Sequence, residues 1–300
     1  MKHHTITGGG GVRLHVAETG NAAGQSILFI HGFSQCWLAW SKQLESDLAH
    51  KYRLVAMDMR GHGASDKPRD AYGDTKLWAD DVDAIIRELE LERPILCGWS
   101  YGSFLMLDYV RHYGQEQIGG FHFVDGISKL GSESAISVLA PEFLAFVPGL
   151  FATDVETSVS TLEPFLRLCF ATEVPAAEFY TMLGYNALVP PFVRQALFSR
   201  VVDNDDILAT IRKPVLITHG ALEAVVKRDV VEQHRAKMPH AQIDIIPNAG
   251  HAPFWDAPEH FNERLARFCA EVATGESTRV AEKRLPSYEP DRSVSLGERG

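Results

Sequence analysis

Residues 98–102, with the sequence GWSYG, restrict the possible folds of this chain more than any other stretch. An apolar run at 94–97 precedes them, and an amphipathic segment begins at residue 103. This order predicts a strand, a sharp turn and a helix, with Ser100 at the apex of the turn. Such a turn is strained, so small residues are needed on both sides of the serine. Because the strain directs the hydroxyl out of the sheet, the motif predicts a nucleophilic serine.

The composition is that of an ordinary soluble globular protein, since 45% of the 300 residues are hydrophobic and 23% are charged. The net charge of −10 argues against nucleic acid or an anionic membrane as a partner. No stretch has the length and apolarity of a signal peptide or a membrane span. The 4 cysteines are far apart in sequence, as expected for buried thiols in a reducing compartment. We therefore expect a cytoplasmic protein, and the sequence leaves its oligomeric state open.

Apolar runs of strand length alternate with segments of helical spacing along most of the chain. Strands are predicted near residues 4–7, 12–18, 27–30, 52–57, 94–97, 121–124, 214–218 and 243–246, and helices near 37–50, 77–89, 103–113, 230–237 and 258–272. The first two strands are separated by glycines and are expected to form a hairpin. The alternation predicts a mostly parallel central sheet with helices on both faces.

The middle of the chain departs from this alternation. Residues 128–206 contain aromatic and leucine-rich helical patches interrupted by prolines, without a comparable strand run. We interpret them as a helical cap, or lid, inserted after the sixth strand over the carboxyl ends of the strands. The α/β core then comprises residues 1–127 and 207–273. Residues 274–300 are polar and aperiodic, which predicts a flexible tail.

A nucleophilic serine needs a base within hydrogen-bond reach, and a carboxylate that orients the base. His251 is the strongest candidate of the 13 histidines, because it lies in a glycine-containing loop just after the last predicted strand. Glu223 is the only acid in the loop at 219–226, which follows the strand at 214–218. Asp125 follows the strand at 121–124 and is an alternative acid.

These motifs together resemble the α/β-hydrolase-fold superfamily with a helical cap, over about residues 5–272. The resemblance rests on HGF at 31–33, DMRGHGAS at 58–65, the GWSYG turn and GH at 250–251. It implies that Ser100 is the nucleophile and His251 the base. It also implies that the backbone N–H groups of Phe33 and Tyr101 form an oxyanion hole, which stabilises the charge of a tetrahedral intermediate.

The resemblance also bears on the choice of acid. The chain order serine, acid, histidine is the one expected for this arrangement. The family commonly has Asp where this chain has Glu223, although some members, including certain acyl-homoserine lactonases, have Glu. We therefore prefer Glu223 as the acid and keep Asp125 as the alternative.

The predicted chemistry is hydrolysis of a carboxylic ester through an acyl-serine. Members of this fold that open epoxides or remove halides use an Asp nucleophile instead, so the serine argues against those reactions. The substrate is expected to be a small or medium apolar ester that contacts Trp37, Phe143, Phe146 and Met182. No cofactor or metal is expected. A lactonase with the same triad is one alternative, and a perhydrolase or a weakly catalytic receptor of the same fold is another.

Overall fold

The computed structural model describes residues 1–275, and an eight-stranded sheet passes through its centre. Two further short strands pair with each other outside that sheet. The strands are β1 (Lys2–Thr7), β2 (Arg13–Gly20), β3 (Ser26–Ile30), β4 (Arg53–Met57), β5 (Ile95–Trp99), β6 (Gly120–Val124), β7 (Lys129–Leu130), β8 (Val202–Asp203), β9 (Val215–Gly220) and β10 (Gln242–Ile246).

The central sheet has the order β1-β2-β4-β3-β5-β6-β9-β10. The hairpin of β1 and β2 is antiparallel, and β2 is also antiparallel to β4. All other neighbours in this sheet are parallel. The predicted mostly parallel sheet is therefore confirmed, with antiparallel pairing confined to the edge formed by the N-terminal hairpin.

Both faces of the sheet are covered, so its central strands are apolar throughout. In β3, Ile27 and Phe29 belong to one hydrophobic core, and Leu28 and Ile30 belong to the other. Successive side chains of a strand point to opposite faces, which is why alternate residues divide between two cores. All five residues of β5 are buried, as expected for a strand covered on both sides.

Helices connect the strands, and a cluster of them lies between β7 and β8. The helices are α1 (Ser41–Leu44), α2 (Leu48–Lys51), α3 (Thr75–Glu88), α4 (Gly102–Tyr113), α5 (Glu133–Ile136), α6 (Pro141–Leu144), α7 (Val147–Leu150), α8 (Val155–Leu168), α9 (Ala176–Ala187), α10 (Pro191–Phe198), α11 (Asp205–Leu208), α12 (Asp229–Lys237), α13 (Pro253–Asp256) and α14 (Pro258–Thr274). None of the helices within residues 1–275 is both long and apolar enough to cross a membrane.

The prediction of one continuous helix over residues 37–50 is wrong. Residues 37–50 form a 3₁₀ turn, Trp37–Trp40, followed by the short helices α1 and α2. The hydroxyl of Ser46 donates to the carbonyl of Gln43 and accepts from the N–H of Leu48. A serine that bonds the local backbone in this way competes with the helical hydrogen bonds, and here it separates α1 from α2.

The helical cap follows the sixth strand, as expected, but its ends pair as strands. β7 and β8 are antiparallel, with Lys129 opposite Asp203 and Leu130 opposite Val202. These two strands were not predicted, because each has only two residues and so leaves no alternating pattern. The pairing joins the two ends of the cap where the chain leaves and re-enters the core.

A buried ion pair attaches the end of the cap to the core. Arg200, which follows α10, donates from Nη2 to Oδ2 of Asp108 on α4 over 2.7 Å. Its Nη1 donates to the hydroxyl of Tyr101 over 3.1 Å. Both charged side chains are at most 1% exposed, so removing either partner would leave an unpaired buried charge. The last helix of the cap is thereby fixed against the helix that follows the GWSYG turn.

The predicted tail lies mostly outside the described part of the chain. Thr274 is the last residue of α14, and Gly275 follows with a left-handed φ of 71°. The prediction of a flexible tail for residues 276–300 concerns residues that the structure does not describe.

The glycine at the start of α4 gives a direct test of the contact between helix and sheet. A Cβ at Gly102 would lie 2.5 Å from the carbonyl oxygen of Ile30, so Gly102→Ala must move α4 away from β3. We expect a loss of about 1–3 kcal/mol in the free energy of unfolding, measured by urea denaturation. Gly184→Ala in α9 is the matched control, because a Cβ there meets no atom of the described part of the chain within 4 Å. The control should gain about 0.5–1 kcal/mol, and an equal response of the two variants would contradict the proposed contact.

Candidate active site

Ser100 lies at a strained turn between β5 and α4. Its φ is +51°, in the left-handed region that non-glycine residues rarely adopt. Its N–H donates to the carbonyl of Val124 on β6 over 2.8 Å, which fixes the turn at the edge of the sheet. A Cβ at Gly98 would lie 2.9 Å from the backbone of Gly102, so the two glycines allow the chain to reverse so tightly. The strand, turn and helix of the sequence prediction are therefore present.

His251 lies in the loop between β10 and α13, on the same side of the sheet as Ser100. Its Nδ1 donates to Oε2 of Glu223 over 2.5 Å. The other carboxylate oxygen of Glu223, Oε1, accepts from the N–H of Val225 over 2.5 Å. The indole N–H of Trp99, next to Ser100, donates to the carbonyl of His251 over 2.7 Å. The bond to Glu223 orients the imidazole, and the bond from Trp99 fixes the backbone of His251. Both Ser100 and His251 line one cavity.

The electrostatics of this pair suit a base. Burial alone would lower the pKa of His251, but the adjacent Glu223 carboxylate outweighs it and raises this pKa above its ordinary value of 6.5. Burial would raise the pKa of Glu223, but His251 lowers it below its ordinary value. Glu223 is therefore ionised at neutral pH, and it favours the protonated form of His251.

Asp125, the alternative acid, lies behind this pair. Its Oδ1 accepts from the N–H of Gly220 over 3.1 Å and lies 2.8 Å from Nδ1 of His219. Burial, followed by the charge of Glu223, raises the pKa of Asp125 well above its ordinary value. The carboxylate bonded to His251 is therefore that of Glu223.

Asp125, His219 and Glu223 are also the residues with the geometry of a metal site. One ligand-type atom from each lies within 4.8 Å of the other two. However, both oxygens of Glu223 already accept hydrogen bonds, from His251 and Val225, and one oxygen of Asp125 accepts from Gly220. The oxygens of Glu223 are thus committed to His251 and Val225, and we assign no metal to this group of residues.

The backbone near Ser100 supplies two unpaired donors. Phe33 and Tyr101 both line the cavity, and within residues 1–275 neither N–H donates to another protein group. Gly32 allows the close approach, since a Cβ there would lie 3.2 Å from the ring of Trp99. The loop is held from behind by His31, whose Nε2 accepts from the N–H of Met59 over 3.1 Å. Burial lowers the pKa of His31 to about 4, so it is a neutral structural residue.

The cavity above Ser100 is narrow and mostly apolar. Its free volume is about 40 Å³, within a total of about 540 Å³ that includes the open mouth. Its walls come from both core and cap: Gly32, Phe33, Gln35, Trp99, Ser100, Tyr101, Ile127, Leu130, Leu139, Phe143, Phe165, Cys169, Phe198, Val225, Val226 and His251.

Of the four side chains expected to contact substrate, the structure brings only Phe143 to this cavity. Trp37 packs instead near the ring of His15, 6.0 Å away between centroids. Met182 borders a separate groove that is also lined by Trp255. Phe146 is half-buried at the start of α7, outside the cavity lining. A helical pattern shows that a side chain packs inward, but not whether it faces the cavity or another helix.

Gln35 and Phe198 are among the cavity residues that the sequence interpretation missed. Gln35 belongs to the loop that carries Phe33, and its Oε1 accepts from Nδ2 of Asn186 in the cap over 3.4 Å. Phe198 ends α10 and packs edge-on against Phe33, 6.1 Å between ring centroids. The position of Gln35, two residues after Phe33 in the same loop, could have indicated that it lies near the cavity. Phe198 carried none, because its location depends on how the cap packs.

Comparison with known proteins agrees with this geometry. The profile described as the alpha/beta hydrolase family matches residues 27–264, most of the chain. The chain therefore belongs to the alpha/beta hydrolase family, as its motifs suggested.

Solved structures in the same family include esterases. A presumed aryl esterase from Burkholderia cenocepacia is 33% identical, with a TM-score of 0.83 over 91% of this chain and 100% of that one. The esterase RhEst1 from Rhodococcus sp. ECU1013 is 30% identical, with a TM-score of 0.85 over 91% and 100%. The N-acyl homoserine lactonase AidH is 24% identical, with a TM-score of 0.77 over 91% and 99%, which shows a shared fold. These similarities identify the protein as a hydrolase.

The bond from Trp99 to His251 can be tested by comparing two buried tryptophans. Trp99→Phe removes the N–H and leaves the carbonyl of His251 without its donor. Trp40→Phe is the matched control, because Nε1 of Trp40 is buried without a hydrogen-bond partner among residues 1–275. Both variants lose ring volume, so we expect Trp99→Phe to be less stable than the control by about 1–3 kcal/mol in urea unfolding. Equal losses would show that the bond contributes nothing.

Proposed function

We propose that the protein hydrolyses carboxylic esters through an acyl-enzyme on Ser100. The observation that carries this proposal is the meeting of Ser100, at its strained turn, with the buried His251–Glu223 pair in one cavity. A serine hydroxyl is a weak nucleophile, and a histidine held by a carboxylate is the base that activates it.

The proposed reaction has two halves. Ser100 attacks the ester carbonyl while His251 takes the proton of its hydroxyl, and the imidazolium that forms is stabilised by Glu223. The negative charge on the former carbonyl oxygen is stabilised by the N–H groups of Phe33 and Tyr101, each worth about 3 kcal/mol in related sites. His251 then gives the proton to the leaving alcohol. Water, deprotonated by His251, attacks the acyl-enzyme, and His251 then returns the proton to the oxygen of Ser100 as the bond to the acyl group breaks and the acid is released.

The cavity favours a short or slender apolar acyl group. Phe143, Phe165 and Phe198 line the cavity next to Ser100, and its free volume is only about 40 Å³. Apolar walls stabilise a hydrocarbon chain but supply few polar groups to bind a charged one. The esterases reported above support an ester as the substrate class.

A lactone is the second candidate substrate. The observation that favours it is Glu223, the acid paired with His251, because the sequence resemblance links a glutamate at this position with certain lactonases. A lactone presents the same carbonyl to Ser100, and its alcohol stays attached to the product. The narrow cavity favours a lactone without a long acyl chain.

A panel of p-nitrophenyl esters beside acyl-homoserine lactones tests the proposal. We expect hydrolysis of acetate and butyrate esters to exceed that of octanoate, because the cavity near Ser100 is narrow. Ser100→Ala should lower kcat by about 10³-fold or more, while the urea midpoint stays near that of the wild type. Undiminished activity of this variant would disprove the mechanism. Preference for the lactones would select the second candidate.

The pH dependence of activity provides a separate test of Glu223. Catalysis needs neutral His251, so kcat/KM should fall as the pH decreases through a pKa that lies above 6.5. In Glu223→Gln the attraction that raises the pKa of His251 is lost while its burial remains. The acidic limb of the profile should therefore move to lower pH, and kcat should fall by roughly 10²- to 10⁴-fold. An unchanged limb would show that Glu223 is not the partner of the base.

A further inference from the structure

The proposed mechanism leaves two buried titratable groups next to Glu223 without a role. Asp125 follows β6 and His219 lies in β9, and one polar atom of each is within 4.8 Å of the Glu223 carboxylate. The side chains of Asp125, His219 and Glu223 are 0%, 1% and 2% exposed. Buried polar groups of this kind require an account of their protons and partners.

Asp125 is held in an unusual conformation. Its φ is +43°, a left-handed value that a non-glycine residue adopts only when its surroundings enforce it. Its N–H donates to the carbonyl of Thr218 over 2.9 Å, and its Oδ1 accepts from the N–H of Gly220. Its Oδ2 is buried with no hydrogen-bond partner within residues 1–275. The side chain is thus anchored by one oxygen, and the other is available to carry a proton.

The charges that face this cluster allow only one ionised carboxylate. Glu223 has His251 and the N–H of Val225 as partners, so it holds the negative charge. Burial lowers the pKa of His219, which is therefore neutral, and burial keeps the thiol of Cys169 neutral by raising its pKa. The positive charge of Arg228 also lowers the pKa of His219, but Arg228 itself is exposed.

A second carboxylate here would be an unpaired buried charge. Two carboxyl groups that share a buried site cannot both ionise readily, and the one with fewer partners retains its proton. Within residues 1–275, Asp125 accepts a hydrogen bond from the N–H of Gly220, and the Nδ1 that lies 2.8 Å from its Oδ1 belongs to the neutral ring of His219, which supplies no balancing charge. Burial raises the pKa of Asp125 well above its ordinary value, and the negative charge of Glu223 raises it further.

We propose that Asp125 is a positioning residue that stays protonated throughout the reaction and holds the Glu223 carboxylate against His251. This inference rests on the proposed function. A proton on Oδ2 gives Asp125 a donor that can be directed at Glu223, while Oδ1 keeps the hydrogen bond from Gly220. The moving proton passes only between Ser100, His251 and the leaving alcohol or water, so Asp125 has the same charge before and after each step.

Two substitutions of Asp125 separate this role from that of a second ionised acid. Asp125→Asn replaces a neutral carboxyl by a neutral amide with a donor and an acceptor in the same places. We expect its kcat for p-nitrophenyl acetate to stay within about threefold of wild type, with the same acidic limb in the pH profile. Asp125→Ala removes the donor, and its kcat should fall by about tenfold to 10²-fold while KM changes little.

The contrary outcomes are distinct. A large loss in Asp125→Asn, with an acidic limb moved to lower pH, would mean that Asp125 acts as a charged acid. Wild-type kcat in a folded Asp125→Ala would mean that it positions nothing. Failure of Asp125→Asn to fold would also contradict the proposal, because the amide is the closest neutral replacement.

Infrared difference spectroscopy tests the protonation state without any substrate. The wild type minus Asp125→Asn spectrum at pH 8 should contain the C=O stretch of a protonated carboxyl group, and carboxylate bands in its place would overturn the inference. Glu223→Gln is the matched control, since the wild type minus Glu223→Gln spectrum should show carboxylate bands. If Ser100→Ala retained full activity, the proposed function would fail while the infrared result on Asp125 would still stand or fall by itself.

Discussion

The left-handed turn at Ser100 is the constraint on which the rest of the site depends. A serine with φ of +51° is stable only if the chain on both sides is held, and β5 and α4 hold it. The glycines at 98 and 102 let the turn and helix pack against each other and against β3, where a larger side chain would collide with backbone atoms. The strained turn is therefore maintained by the packing of the central sheet. The buried ion pair between Arg200 and Asp108 connects the same helix, α4, to the cap.

Parallel pairing explains why residues far apart in sequence meet at Ser100. Carboxyl ends of parallel strands lie at one edge of a sheet, and β3, β5, β6, β9 and β10 are all parallel. The loops after these strands carry Phe33, Ser100, Asp125, Glu223 and His251 respectively. The sheet order fixes which loops are neighbours, and the loops then need only short-range bonds to align. Trp99 supplies one such bond to His251, and Gly220 supplies another to Asp125.

This dependence explains what the sequence could and could not predict. The strand pattern and the GWSYG turn are local signals. The sheet, the turn and the residues in the loops after the parallel strands could therefore be predicted from them. The separation of α1 from α2 within residues 37–50 depends on the hydroxyl of Ser46, and the spacing of apolar residues does not reveal such a bond. The cap was harder still, because the packing of one helix on another decides whether Met182 or Phe198 faces the cavity. Helical spacing identifies a buried face but not what it is buried against.

Electrostatics distinguish His251, the proposed base, from the other histidines independently of its position in the sequence. Burial lowers the pKa of six other histidines within residues 1–275, among them His31 to about 4, His62 to about 3, His122 to about 3 and His234 to about 4. His251 is equally buried, yet its pKa is raised, and the cause is the carboxylate of Glu223. Burial strengthens that attraction as well as penalising the charge, so a buried histidine becomes a base only where an ionised acid faces it. A neutral Asp125 preserves this condition, because a second charge would compete with Glu223 for the same imidazole.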